Sequence, residues 1–131
     1  METIDKYKVE LEQDTKIDVL NLRDCQMRLP AIKHKWASRL INHKIELEKT
    51  KSLIGKAKDA IINKQLSDPK VKVSRPSLEK SADNNDVVIR LKESVNEQEF
   101  VVMYLDKVEQ ILKSMTFDIK NVTEIMKLEQ L

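Results

Sequence analysis

The chain has 131 residues, with 24 basic and 22 acidic side chains for a formal net charge of +2; 40% of residues are apolar and 35% are charged. One glycine, Gly55, and three prolines supply almost no turn chemistry, which argues against a hairpin-rich β fold and leaves an all-α one. The single Cys25 excludes an internal disulfide framework and a cysteine zinc cage, no apolar run approaches the roughly 18–20 residues that span a bilayer, and Met1–Glu12 is too charged for a signal peptide, so a protein of a reducing cytoplasm without a membrane partner is expected.

In chain order, Ile4, Tyr7, Val9 and Leu11 give a modest helical pattern, and Asp18 or Asn21 caps a short helix carrying Leu20, Leu22 and Cys25. Pro30 suits a first helical position, where its missing N–H costs nothing. Beyond it Leu29, Ile32, Trp36, Leu40, His43, Leu47, Thr50, Ile54, Ala57 and Ile61 recur at steps of three and four, a narrow stripe suited to a helical partner. Nothing halts this helix before Ser67-Asp68-Pro69, and from Pro30 to Leu66 it would extend roughly 55 Å. A helix so long needs another to return along it or a second subunit to cover it, and assembly is expected.

Ser67 to Pro76 contains two prolines and alternates, so it reads as an extended basic linker. Three shorter helices follow: one from Ser81 to Glu93, one capped by Asn96 and running through Phe100, Met103, Tyr104, Val108, Ile111 and Leu112, and one capped by Thr116. In the last, Ile119, Val122, Ile125, Met126 and Leu128 form a face that no later element covers. The organisation expected is residues 1–66 as the N-terminal helices with the long basic helix, 67–80 as the extended basic linker and 81–131 as the C-terminal helices of the assembly part, all within one domain.

The small net charge hides an asymmetry. Residues 1–28 carry five basic against seven acidic side chains, residues 29–76 twelve against four, and residues 77–131 seven against eleven. A middle segment of net +8 between acidic flanks suits a polyanion, or meets the acidic surfaces of its own neighbours. Lys33, Lys44, Lys51 and Lys58 fall within about 40° of one another on a helix, and Lys49 and Lys56 form a second line roughly opposite. Such stripes are often solvated faces or partners of glutamates, but Glu46 and Glu48 neutralise little of this excess, and Lys70, Lys72 and Arg75 of the linker add to it. Trp36 lies on the apolar stripe and reads as core, so nucleic acid would be held through phosphates, without sequence preference and with strong salt dependence.

Catalytic chemistry has little to build on. His34 and His43 face different sides of a helix, Cys25 has no nearby histidine and reads as a buried small hydrophobe, no glycine-rich phosphate loop exists, and Glu46/Glu48 and Glu97/Glu99 diverge. Neither an enzyme nor a metal or other cofactor is expected.

Pro30-Ala-Ile-Lys-His-Lys-Trp36, leading into a lysine-rich helix that contains Lys56-Ala-Lys58, resembles the UvsY recombination mediator proteins of T4-like phages. So does Ile111-Leu-Lys-Ser-Met-Thr-Phe-Asp-Ile-Lys-Asn121 with its amphipathic end, and Ser81-Ala-Asp83 stands at the matching distance upstream. The resemblance extends over nearly the whole chain; its specificity lies in the ordered combination. It implies a closed helical ring of six or seven subunits that binds single-stranded DNA and helps the phage's RecA-like recombinase displace the single-strand-binding protein, in the cytoplasm of the infected bacterial host. It also implies a DNA-contacting Lys-x-Arg pair late in the long helix, to which Lys56 and Lys58 are the nearest match here, with lysine where the family has arginine, and assembly through the C-terminal segment, here Phe117, Ile119, Val122, Ile125, Met126 and Leu128. The alternative from another class is a helical adaptor or assembly chaperone whose basic face meets acidic protein surfaces.

Overall fold

The computed structural model describes residues 2–70 and 74–130. Among these residues there are four α-helices and no strand: α1 (Glu2–Asp14), α2 (Leu22–Leu66), α3 (Arg75–Asp83) and α4 (Asp86–Glu129). The all-α expectation holds, while the helix boundaries depart from it in three places.

Helix α2 starts at Leu22 rather than Pro30 and runs for 45 residues. The Asn21 carbonyl accepts the Cys25 N–H at 3.1 Å, so the helix opens at one of the two expected caps. Pro30 lies inside it and removes the N–H that would reach the Gln26 carbonyl. Pro30 and Gln26 are both exposed, which leaves that carbonyl to water. The buried series Cys25, Leu29, Ile32, Trp36 and Leu40 continues across the interruption. Packing outweighs the proline.

The expected extended linker over 67–80 gives way to α3 at Arg75. Ser74 is extended (φ −66°, ψ 152°), Pro76 occupies the first turn, and the Ser74 carbonyl accepts the Leu78 N–H at 3.1 Å. Proline here starts a helix instead of prolonging an extended run. Its anchor is apolar: Leu78 and Ala82 are buried against Ile62 of α2.

The three short C-terminal helices are two. Ser81 belongs to α3, and α4 is one helix of 44 residues. Its cap is Asn85, whose Oδ1 accepts the Val87 N–H at 2.9 Å and whose carbonyl accepts the Ile89 N–H at 2.9 Å. Asn96 and Thr116 are interior. No glycine or proline follows Pro76; Val88 and Val95 are buried before Asn96 and Val101 just after it, and Val101, Leu105, Val108, Leu112, Met115 and Ile119 form a buried stripe that runs through Thr116.

The chain forms two compact units, one from Met1–Asn42 with Val101–Leu131, the other His43–Phe100. In the first, Leu29, Ile32, Trp36 and Leu40 of α2 share a core with Val101, Leu105, Val108, Leu112, Met115 and Ile119 of α4. The helices run antiparallel there, since Leu22 and Gln26 line one groove with Thr116–Glu124 while Lys33 and Ala37 line another with Asp106–Lys113. Helix α1 adds Ile4, Tyr7 and Leu11 to this core. Burying each such large apolar side chain contributes about 1.5–3 kcal/mol. In the second unit the order is antiparallel as well: Gln98 Nε2 donates to Thr50 Oγ1 at 3.0 Å, and Lys58 and Lys92 converge on Asp83. In each unit the helix that covers α2 comes from the same chain, so the length of α2 alone does not demand a second subunit. No helix among the described residues is long and apolar enough to cross a membrane.

Candidate nucleic-acid interface

The two lysine lines on α2 meet different surroundings. Lys33, Lys44, Lys51 and Lys58 point, within about 60°, the same way as Leu40, Leu47 and Ile62, and therefore flank the buried side. Each is engaged. Lys33 Nζ donates to Thr116 Oγ1 at 3.0 Å. Lys51 Nζ lies 3.7 Å from Glu48 and 3.9 Å from Glu99, and Lys44 has an interaction of its own. Lys58 Nζ donates to Asp83 Oδ1 at 2.6 Å, and its side chain is only 29% exposed. That bond raises the Lys58 pKa, and Asp83, hydrogen-bonded first by Lys58 and then by Lys92, has its pKa lowered.

Lys49 and Lys56 stand on the opposite, solvated side. Lys49 makes a 3.4 Å contact with Glu46, both side chains being about two-thirds exposed, which is worth little. Lys56 is exposed and makes no ion pair or hydrogen bond with any described residue. Lys64, exposed and about 80° round the helix from Lys56, joins this side. The seven-residue spacing overlooks it; an angular plot of every cation finds it. Gly55 is also open, with nothing within 4 Å of where a Cβ would stand. Of the remaining candidates, Lys70 is exposed, Arg75 pairs loosely with Glu79 at 3.5 Å, and Lys72 lies outside the described residues. The Lys56/Lys58 pair is thus split between an open cation and an engaged one.

Further cations are neutralised by α1. Lys35 Nζ lies 2.5 Å from Asp14 and 3.4 Å from Glu10, while the Arg39 guanidinium is paired with the Glu10 carboxylate. Arg39 also stacks at 4.7 Å over the Trp36 ring and 5.0 Å over Tyr7, and Trp36 Nε1 donates to Asp14 Oδ2 at 2.8 Å. Trp36 is buried, so it serves as core and not as a base-stacking platform. For these residues the acidic flank meets the basic middle within the subunit. The Arg39 hydrogen bond, and then the charges of Arg39 and Lys35, hold Glu10 below the usual glutamate range against the opposing effect of burial.

The assembly candidates divide similarly. Ile119 is 3% exposed and belongs to the subunit's own core, which corrects its placement on the uncovered face. Phe117, Ile125 and Leu128 are 64%, 55% and 69% exposed, and Val122 and Met126 are half-buried. Among the described residues no cluster of His, Cys, Asp or Glu is arranged to hold a metal. Cys25 is buried, its Sγ accepting the Asp18 N–H at 3.5 Å.

Residues 10–130 match the profile of a family described as recombination, repair and ssDNA-binding proteins, which sets the class: a helical DNA-binding protein of recombination and repair. The chain belongs to that family, UvsY. Crystal structures of the bacteriophage T4 recombination mediator protein UvsY share the fold. In lattice types IV, I and II they give TM-scores of 0.81, 0.79 and 0.76 at 17%, 16% and 15% identity, covering 95%, 93% and 97% of this chain and 97% of the T4 chain in each case. None of the curated proteins matches this chain.

Proposed function

We propose that this chain is a phage recombination mediator: it binds single-stranded DNA and helps a RecA-like phage recombinase load onto strand coated with single-strand-binding protein, in the cytoplasm of the bacterial host. The observation that carries the reading is the open cationic side of α2, with Lys49, Lys56 and Lys64 solvated in a member of a family of ssDNA-binding recombination proteins. Three ammonium groups without a stacking aromatic bind phosphate, weakly and without regard to sequence. Several copies acting on one strand raise that hold by orders of magnitude. Contacts of Phe117, Ile125 and Leu128 between subunits supply the copies. An array of this kind bends or wraps the strand, weakening the competing protein's grip and presenting the strand to the recombinase.

Two measurements test this. A salt titration of oligonucleotide binding should give a slope of several released ions per assembly, and no retention even at low salt would leave the adaptor as the better reading. Added to strand coated with single-strand-binding protein, the chain should shorten the lag before recombinase ATPase activity begins. An unchanged lag alongside normal strand binding would refute the loading role.

A further inference from the structure

Asp83 is the last residue of α3, with Asn84 as C-cap, and stands two residues before Asn85, the cap of α4, so the carbonyl end of one helix dipole and the N–H end of the next act on its carboxylate in opposite senses. What it does is bridge two cations: its Oδ1 accepts Lys58 Nζ from α2 at 2.6 Å and Lys92 Nζ from α4 at 3.2 Å. One oxygen between two ammonium groups is the arrangement a phosphate oxygen would make with the same pair. The cluster is also accessible, with Asp83 41%, Lys58 29% and Lys92 47% exposed, so a ligand reaches it without unfolding the unit.

We infer that Lys58 and Lys92 form a phosphate subsite in which Asp83 is a built-in competitor that a strand phosphate displaces. The inference rests on the DNA-binding function proposed above and adds Lys92, a residue of another helix, to the contact set. The two lysines carry two positive charges against one carboxylate, so the cluster keeps a net attraction for anions while Asp83 is in place. The bond from Lys58 and that from Lys92 lower the Asp83 pKa, and Asp83 stays ionised throughout the neutral range as an effective competitor. The device moderates affinity. A mediator has to release its strand to the recombinase, and a contact opposed by an internal carboxylate dissociates more readily than one that is not.

The test is oligothymidylate binding by the full chain over a range of salt. Asp83→Asn removes the competing charge and should tighten binding roughly two- to fivefold per subunit contact. It should also steepen the salt dependence, by about 0.7 per extra phosphate held. Lys92→Gln, which leaves the Lys58–Asp83 bond in place, should weaken binding by a similar factor, and combining it with Asp83→Asn should cancel most of the gain. An Asp83→Asn protein of native helix content that binds no tighter overturns the inference, as does a Lys92→Gln protein with wild-type affinity. Wild-type binding with indifferent variants removes this subsite alone; no binding by wild type or variants removes the DNA-binding reading with it.

Discussion

Arg39 and Glu10 join α2 to α1 through two hydrogen bonds between guanidinium and carboxylate, the longer at 3.1 Å. The pair is roofed by aromatic rings, because Arg39 lies over both Tyr7 and Trp36 and those rings meet edge to face at 5.4 Å and 79°. Cation, carboxylate and rings are held in one place, so α1 is oriented as well as attached.

The pair gives stability an acid limb. Glu10 is held below its ordinary value of 4.5, so the folded state binds this proton less readily than the unfolded chain does. Its contribution is complete above the unfolded value and disappears as pH falls through the lower folded value. Glu10→Gln should therefore lower the unfolding free energy by about 1 kcal/mol at pH 7. The gap from wild type should close below pH 4.5. Denaturant melts at both pH values check this, and a gap that stays constant with pH would assign the loss to packing.

Trp36 tests whether the one tryptophan belongs to the core. It is 1% exposed and donates to Asp14. Trp36→Ala should cost about 3–5 kcal/mol, enough to unfold a marginal domain, and Trp36→Phe about 1–2 kcal/mol through the smaller ring and the lost hydrogen bond to Asp14, which Lys35 still pairs. In Trp36→Phe protein that remains folded, strand affinity should match wild type. A large loss of binding without loss of stability would place the indole on the DNA.

Stripes, composition and charge sums made the helical class legible, and with it the burial of Trp36, Leu40 and Leu47. Boundaries were less so, for a physical reason. Pro30, Asn96 and Thr116 are punctuation by local propensity, but buried apolar residues stand on both sides of each, and packing decided. Pro76 misled in the other direction, since the same fixed φ suits an extended run and a first helical turn. On the candidate interface, spacing found both lysine lines and could not tell which faced outward. That depended on Asp83, Glu99 and Thr116, up to 83 residues away in sequence.

Ile119 and Ile125 separate folding from assembly. Both are isoleucines of α4, one 3% and the other 55% exposed. Ile119→Ala should lower subunit stability by about 2–4 kcal/mol through the cavity it leaves. Ile125→Ala should leave subunit stability within about 0.5 kcal/mol while reducing the mass seen by light scattering at low concentration. If Ile125→Ala leaves the mass unchanged down to the lowest measurable concentration, the exposed end of α4 is not where subunits meet.

The two lysine lines make a final contrast. Replacing Lys49 and Lys56 by alanine removes two solvated cations and no core contact, so helix content and melting should hardly change. Strand affinity should fall for every sequence alike, and the salt slope should flatten by about 1.4 per subunit, the loss of two phosphate contacts on a single strand. Lys33 and Lys51 are already engaged by Thr116, Glu48 and Glu99, and their joint replacement should flatten it by less than half as much. Equal losses from the two double variants would mean that DNA draws the flanking lysines away from their partners, and the outward side of α2 would lose its special role.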